Sequence, residues 1–286
     1  MTVMIVGSTG QLGQELVQLM QERQVDFVAY SSSDLDITNR ASVLERVAMI
    51  KPSVIFDAAA YTKVDAAEEG DGKDLNWQVN EQGTKNLVDA AKNTNTILVF
   101  VSTDYVFDGK KVKPYLETDD VNPQNEYGKA KAAAEELIIN AGIKYYIVRT
   151  SWVFGQYGNN FVYTMERLAK EHAKLKVVAD QEGRPTWAKT LAEFMNYLQV
   201  QNAEYGIYNL SNAGQTTWFE FAREILKDTQ VEIIPVTSDE FPTIASRPAH
   251  SVLSLEKSQA TGFIIPSWQD ALQEFKKSIK STNGQD

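Results

Sequence analysis

The chain has 286 residues, a formal net charge of −10, 43% hydrophobic and 23% charged residues, and no cysteine. That length can bury a large core as one domain or one and a half. The lack of cysteine excludes disulfides, thiol chemistry and cysteine-bound metals, and the acidic balance argues against nucleic acid or an anionic membrane as a partner. The two histidines, His172 and His250, stand far apart, which speaks against a histidine metal site. No apolar run is long enough to cross a membrane and the start carries no basic signal region, so the expectation is a cytoplasmic protein.

Val3-Met4-Ile5-Val6 is an apolar, β-branched run that reads as a strand buried on both faces. Gly7, Gly10 and Gly13 follow at intervals of three, and Leu12, Leu16, Leu19 and Met20 recur at helical spacing. Strand, glycine turn and helix in this order predict a dinucleotide site. Glycine accepts the positive φ of a tight turn and lets a pyrophosphate approach the backbone. The helix N-terminus then offers free N–H groups and the positive end of its dipole. An ordinary turn holding three glycines is the competing reading, and the flanking pattern weighs against it.

Residues 27–30 read as the second strand. An acid just after it would select NAD through the ribose 2′-hydroxyl, and a base would favour the 2′-phosphate of NADP. Ser31, Ser32 and Ser33 are neither, so the choice between NADPH and NADH stays open. Asp36 fits a place beside the adenine, or equally a turn or cap before a helix over 40–50, with Thr38 a competing cap. Residues 53–57 read as the third strand. Ala58, Ala59, Ala60 and Tyr61 follow at its C-terminal end, where open α/β sheets bind ligands. Residues 65–72 read as an acidic, solvated segment. Asn80 falls on the next helix, where asparagine is ordinarily exposed.

The fourth strand, 97–101, opens into Ser102-Thr103-Asp104-Tyr105, which brings hydroxyls, a carboxylate and a phenol to the strand's end. A helix then begins near Tyr127 and carries Lys131 four residues on, on the same face. A free phenol titrates near pH ~10, and a neighbouring ammonium lowers that value. Such a pair can give a proton to a ketone oxygen while a hydride reaches its carbon, and Thr103 can hydrogen-bond the same oxygen. Alone, this spacing equally fits a surface tyrosine lying under a lysine. After a dinucleotide turn and a hydroxyl-bearing strand end, it predicts catalysis.

Strands and helices alternate through the first half, which predicts an α/β, Rossmann-like, doubly wound parallel sheet over residues 1–150. Residues 151–286 read as mainly a smaller C-terminal substrate-binding lobe, with some segments returning to the main sheet. Arg184 and Arg247 precede prolines in loops. They read either as exposed loop arginines or as forks for a diphosphate. The polar tail after Lys280 is expected to fray.

Several segments together carry a family resemblance: 7–13, 34–38, 58–68, 102–109, 127–131, 149–155 and 180–186. The chain resembles the extended short-chain dehydrogenase/reductase superfamily, and within it the dTDP-4-dehydrorhamnose reductases. The resemblance implies an NADPH- or NADH-dependent reduction of a nucleotide 4-keto sugar, with Tyr127 as proton donor and Lys131 binding the nicotinamide ribose. It implies that Gly10, Gln11 and Leu12 meet the pyrophosphate, with Gly7 and Gly13 shaping the turn. Asp36 and Ile37 would lie on the adenine side, and Ala59, Ala60 and Tyr61 along the ribose and phosphates. Thr103 and Asp104 would contact the sugar, with Trp152 packed on it and Asn80 at a structural or proton-relay position. Sister dehydratases carry a further acid after the Thr-Asp pair, where this chain has Tyr105. Epimerases share the fold, and a regulatory subunit of methionine adenosyltransferase resembles these reductases and acts by binding a partner. Some family members dimerise through a magnesium ion held by glutamates. Glu15 is present here, but Lys189 stands where a second glutamate is expected. The expectation is no metal, and a monomer or a metal-independent dimer.

Overall fold

The computed structural model describes residues 2–283. In chain order the first half runs β1 (Val3–Val6), α1 (Gln11–Glu22), β2 (Phe27–Tyr30), α2 (Arg40–Ile50), β3 (Val54–Asp57), α3 (Gly70–Trp77), α4 (Thr84–Thr94), β4 (Ile97–Thr103), α5 (Glu126–Asn140) and β5 (Tyr145–Thr150). A 3-10 turn at Ala66–Glu68 precedes α3, and a π turn at Gln78–Gly83 joins α3 to α4. The second half runs β6 (Val153–Phe154), α6 (Phe161–Glu171), β7 (Lys174–Val178), β8 (Glu182–Gly183), β9 (Thr186–Trp187), α7 (Ala188–Val200), β10 (Gly206–Asn209), β11 (Thr216–Thr217), α8 (Trp218–Ile225), β12 (Glu232–Val236), α9 (Glu256–Ala260) and α10 (Trp268–Asn283).

Six strands form one parallel sheet in the order β10-β5-β4-β3-β1-β2. The strands read as continuous apolar runs because both faces are covered. On one face Ile5, Phe56, Val99 and Val148 pack with Leu16 and Met20 of α1 and Leu191 and Met195 of α7. On the other, Met4, Ile55, Phe100 and Ile147 pack with Val43 of α2, Leu87 of α4 and Ile138 of α5. The chain leaves β1 toward β2 on one side and toward β3 on the other. The crevice beyond the ends of β1 and β3 is therefore the sheet's switch point.

The second half contributes β10 to the edge of this sheet, paired with β5, and lays α7 against α1. Its own core gathers Phe154, Phe221, Trp268, Leu272 and Phe275 around the paired strands β7 and β12. Two local expectations change. Residues 65–72 fold into the 3-10 turn and the start of α3, because Ala67 is buried and Glu68 accepts a hydrogen bond from the Glu126 N–H at the start of α5. Helix α10 continues through residues 281–283, and the rest of the expected fraying tail lies outside the described residues. Among the described residues, no helix is long and apolar enough to cross a membrane.

Candidate active site

The glycine turn is built for close approach. Gly7 has φ +75°, and a Cβ there would overlap the Ala58–Ala59 backbone at the end of β3. A Cβ on Gly13 would overlap the Gly7 carbonyl. Only glycine lets turn, strand and helix meet so tightly. Helix α1 has Gly10 at its N-cap, no side-chain cap and no acid in its first turn. Its first N–H groups, at Gln11, Leu12 and Gly13, are thus free to face an anion. The Leu12 side chain itself is in the core, and the Gln11 side chain reaches the other way, donating to the Val153 carbonyl and accepting from Asn160. The residues fit a pyrophosphate through backbone rather than side chain.

At the end of β2, the Ser31 N–H and hydroxyl both bond Asp34, whose carboxyl is held below its usual range by those bonds. Arg46 of α2 lies over the Tyr30 ring, 5.3 Å away, a base that sequence order alone did not bring to this loop. Asp36 is exposed and bonds the Thr38 N–H and hydroxyl, while Asn39 caps α2. Neither Asp36 nor Thr38 is the cap. Ile37 is buried against Gly83 of the π turn.

Asn80 is buried rather than exposed. Its side chain accepts from the Tyr61 N–H and donates to the Tyr61 carbonyl and to Asn76. Asn76 in turn donates to the Glu126 carbonyl at the start of α5. One asparagine pair therefore joins the Ala59–Ala60–Tyr61 segment to the helix that carries Tyr127. The π turn puts Asn80 on that inner side, a device often found at functional sites.

Thr103, Asp104, Tyr127 and Lys131 meet at the C-terminal end of β4. Asn125 caps α5, so Tyr127 falls in its first turn. The Thr103 hydroxyl donates to Asp104 at 3.1 Å and accepts the Tyr105 N–H. Asp104 is 2% exposed with Oδ2 unpartnered, and burial pushes its carboxyl up to about 7 against the pull of the Ser251 and Thr103 hydroxyls. Burial also pushes the Tyr127 phenol well above its usual range, Asp104 and Tyr105 adding to the effect and the Thr103 hydroxyl opposing it. The Tyr105 ring meets Tyr127 edge-on, with centroids 6.1 Å apart. Lys131 donates to the Val101 carbonyl at 3.0 Å, and burial lowers its ammonium to about 8. In this arrangement the lysine bonds the carbonyl of Val101 in β4.

On the lobe side, Trp152 takes φ +48° and stacks on Trp218, ring centroids 3.7 Å apart. Arg184 is half-buried, and its Nε has no partner. Arg247 is not a free loop arginine: it pairs with Asp65 at 2.5 Å and acts on Tyr105. Asp65, Trp218 and Ser251 join the site from distant positions, and no local sequence pattern announces them. A cavity of about 520 Å³ lies elsewhere, between Glu220, Arg223, Lys227 and Trp268. Its charged walls are paired with one another, Arg223 with Glu220 and Lys227 with Glu224.

The glutamate position implied for a metal is a poor metal site. Glu15 is buried beside Lys189, Glu193 and Glu22, and burial raises its carboxyl to about 7. The Lys189 ammonium beside it repels a divalent cation. Among the described residues, no cluster of three or more acidic or histidine side chains could hold a metal.

The family model described as RmlD substrate binding domain matches residues 1–281. A dTDP-4-dehydrorhamnose reductase of Aggregatibacter actinomycetemcomitans is 40% identical over 96% of this chain and 98% of its own. The crystal structure of a dTDP-4-dehydrorhamnose reductase from Bacillus anthracis, in complex with NADP, superposes with a TM-score of 0.93 at 40% identity, covering 97% of this chain and 99% of that one. A Thermus thermophilus UDP-glucose 4-epimerase in complex with NAD shares the fold, with a TM-score of 0.84 at 21% identity over the whole of both chains.

Proposed function

The chain belongs to the RmlD substrate-binding-domain family, and from that membership and the site's geometry we propose that it reduces the C4 ketone of dTDP-4-dehydro-L-rhamnose to give dTDP-L-rhamnose, using NADPH or NADH. The observation that carries the reading is the meeting of Thr103, Tyr127 and Lys131 at the end of β4, beside the glycine-lined crevice. The nicotinamide, when bound, supplies the hydride. Tyr127 gives its phenolic proton to the ketone oxygen, and Thr103 holds that oxygen in register. Lys131 would hold the nicotinamide ribose, its ammonium favouring a negative charge developing nearby.

The free N–H groups after Gly7 and Gly10, at Gln11, Leu12 and Gly13, receive the pyrophosphate. Asp36 and Ile37 lie on the adenine side, and Ala59, Ala60 and Tyr61 line the ribose and phosphates. Asp104 receives the sugar through its unpartnered oxygen, and Trp152 packs on the ring. The unpartnered Arg184 Nε suits the substrate diphosphate, and Arg247 reaches it by exchanging Asp65 for phosphate. The partner is thus a nucleotide sugar, and the protein works as a monomer or a dimer that needs no metal.

The test is oxidation of NADPH and NADH, followed by absorbance, with dTDP-4-dehydro-L-rhamnose and EDTA. Rapid oxidation that persists in EDTA is expected. No oxidation with either cofactor, from protein shown to bind one, would overturn the assignment.

A further inference from the structure

Lys131 is a charged group in an unusual position. It is 1% exposed, its ammonium has the Val101 carbonyl as its acceptor at 3.0 Å, and it lies 4.4 Å from the centre of the Phe100 ring. A buried ammonium with one backbone acceptor and an aromatic face is costly unless an anion stands near. Glu135, one turn further along α5, does not supply it freely. Its carboxylate accepts the Ser102 hydroxyl at 2.5 Å and a two-pronged bond from Arg149, so its charge is already matched.

The other anion is Asp57, the last residue of β3, which is 0% exposed. It sits opposite Phe100 in the β3–β4 register, so carboxylate and ammonium flank the same residue of the sheet. Its two oxygens are used separately. One accepts the Ala59 N–H at 3.2 Å, and the other accepts the Thr84 hydroxyl at 3.3 Å. The single Thr84 hydroxyl proton is shared between that oxygen and the Asn80 carbonyl, 3.0 Å away. No direct ion pair joins Asp57 to Lys131; they act on each other across the sheet.

We propose that Asp57 is a positioning residue of the reaction: a buried counter-charge that keeps Lys131 protonated while holding the Ala58–Ala60 turn against the glycine loop. It rests on the reading of Lys131 as the ribose-binding lysine. The electrostatic balance at the two groups agrees in sign with this arrangement. Burial lowers Lys131 to about 8 and Asp57 pulls it back up, while burial raises Asp57 to about 6 and Lys131 pulls it back down. Between those values both are charged. The charged groups that act on Lys131 are Asp57 from β3 and Glu135 from α5, the latter held by Arg149 of β5.

Asp57→Asn tests this, because asparagine keeps an oxygen for the Ala59 N–H while it removes the charge and puts an NH2 in place of the oxygen that faces Thr84. Full-length protein carrying [13Cε]-lysine is titrated by NMR, the Lys131 signal being assigned from its absence in Lys131→Arg. The Lys131 midpoint is expected about one pH unit lower in Asp57→Asn, and the basic limb of the kcat/KM profile moves down with it. NADPH affinity is expected within threefold of the unsubstituted chain. Thr84→Val provides a second arm. Losing one bond to the Asp57 carboxylate raises the acidic limb of the profile and leaves the basic limb where it was. An unchanged Lys131 midpoint in Asp57→Asn overturns the proposal, whether or not the chain reduces the keto sugar. If Asp57→Asn fails to fold, an unmoved acidic limb in Thr84→Val overturns it.

Discussion

At the scale of single residues, the site works by burial set against a few chosen partners. Tyr127 is a poor acid by itself. Its phenol is pushed up by its buried setting and by Asp104, so it keeps its proton across the whole neutral range. Tyr127→Phe removes that proton and little else. We expect kcat to fall by about 10²–10⁴-fold, with NADPH binding, read from cofactor fluorescence, unchanged. Equal loss of both would place the tyrosine in cofactor binding instead. Asp104 is poised differently. Raised to about 7, its carboxyl is part protonated near neutrality, and its free oxygen can therefore donate to a sugar hydroxyl or accept from one.

At the scale of elements, the seam between α1 and α7 carries a stored electrostatic cost. Glu15 is buried there with a carboxyl raised from 4.5 to about 7, burial outweighing the attraction of Lys189, with Glu193 and Glu22 adding repulsion. A carboxyl whose folded value lies above its unfolded value binds protons more tightly when folded. Its contribution to stability is therefore complete below about 4.5 and lost as pH rises through about 7. Glu15→Gln cannot ionise. It should be more stable than the unsubstituted chain by up to about 3 kcal/mol at pH 8, and show no such gain at pH 4.5. Thermal melts at the two pH values check this. The π turn between α3 and α4 is a second element-scale device. It spends six residues on irregular backbone and in exchange turns Asn80 inward, where its amide grips both backbone groups of Tyr61.

At the scale of the whole molecule, the two halves are tied through a buried ion pair beside Ser102. Arg149 of β5 is buried with Glu135 of α5, both side chains 3% exposed, and also donates to the Glu117 carbonyl. Glu117 in turn accepts the Asn209 N–H of β10, the strand that the second half returns to the main sheet. One guanidinium thus braces α5, the sheet and the segment between β4 and α5. Arg149→Met leaves the Glu135 carboxylate buried without its cation and should cost about 3–5 kcal/mol, measured by denaturant unfolding. Adding Glu135→Leu should restore most of that loss, because an apolar pair of similar volume avoids the desolvation penalty.

The chain's own order of residues determined the outline of this protein. β1, the glycine turn and α1 were legible because their signals are local: an apolar strand run, glycines at fixed spacing, then helical periodicity. Tyr127 and Lys131 were legible for the same reason, since four residues on a helix decide which face they share. Charge matching was not legible, because it joins residues far apart in sequence across a folded sheet. Nothing near Asn80 says that it will be turned inward by a π turn. Nothing near Arg247 names Asp65, 182 residues earlier, as its partner. The fate of Lys131 was decided by packing as well. Spacing puts it on the face of the Tyr127 phenol, and burial against β4 adds the Val101 carbonyl, the Phe100 ring and the field of Asp57. Local patterns select elements because backbone preferences are short-ranged. Protonation and contact across the crevice depend on desolvation and on distances that exist only once the sheet has closed.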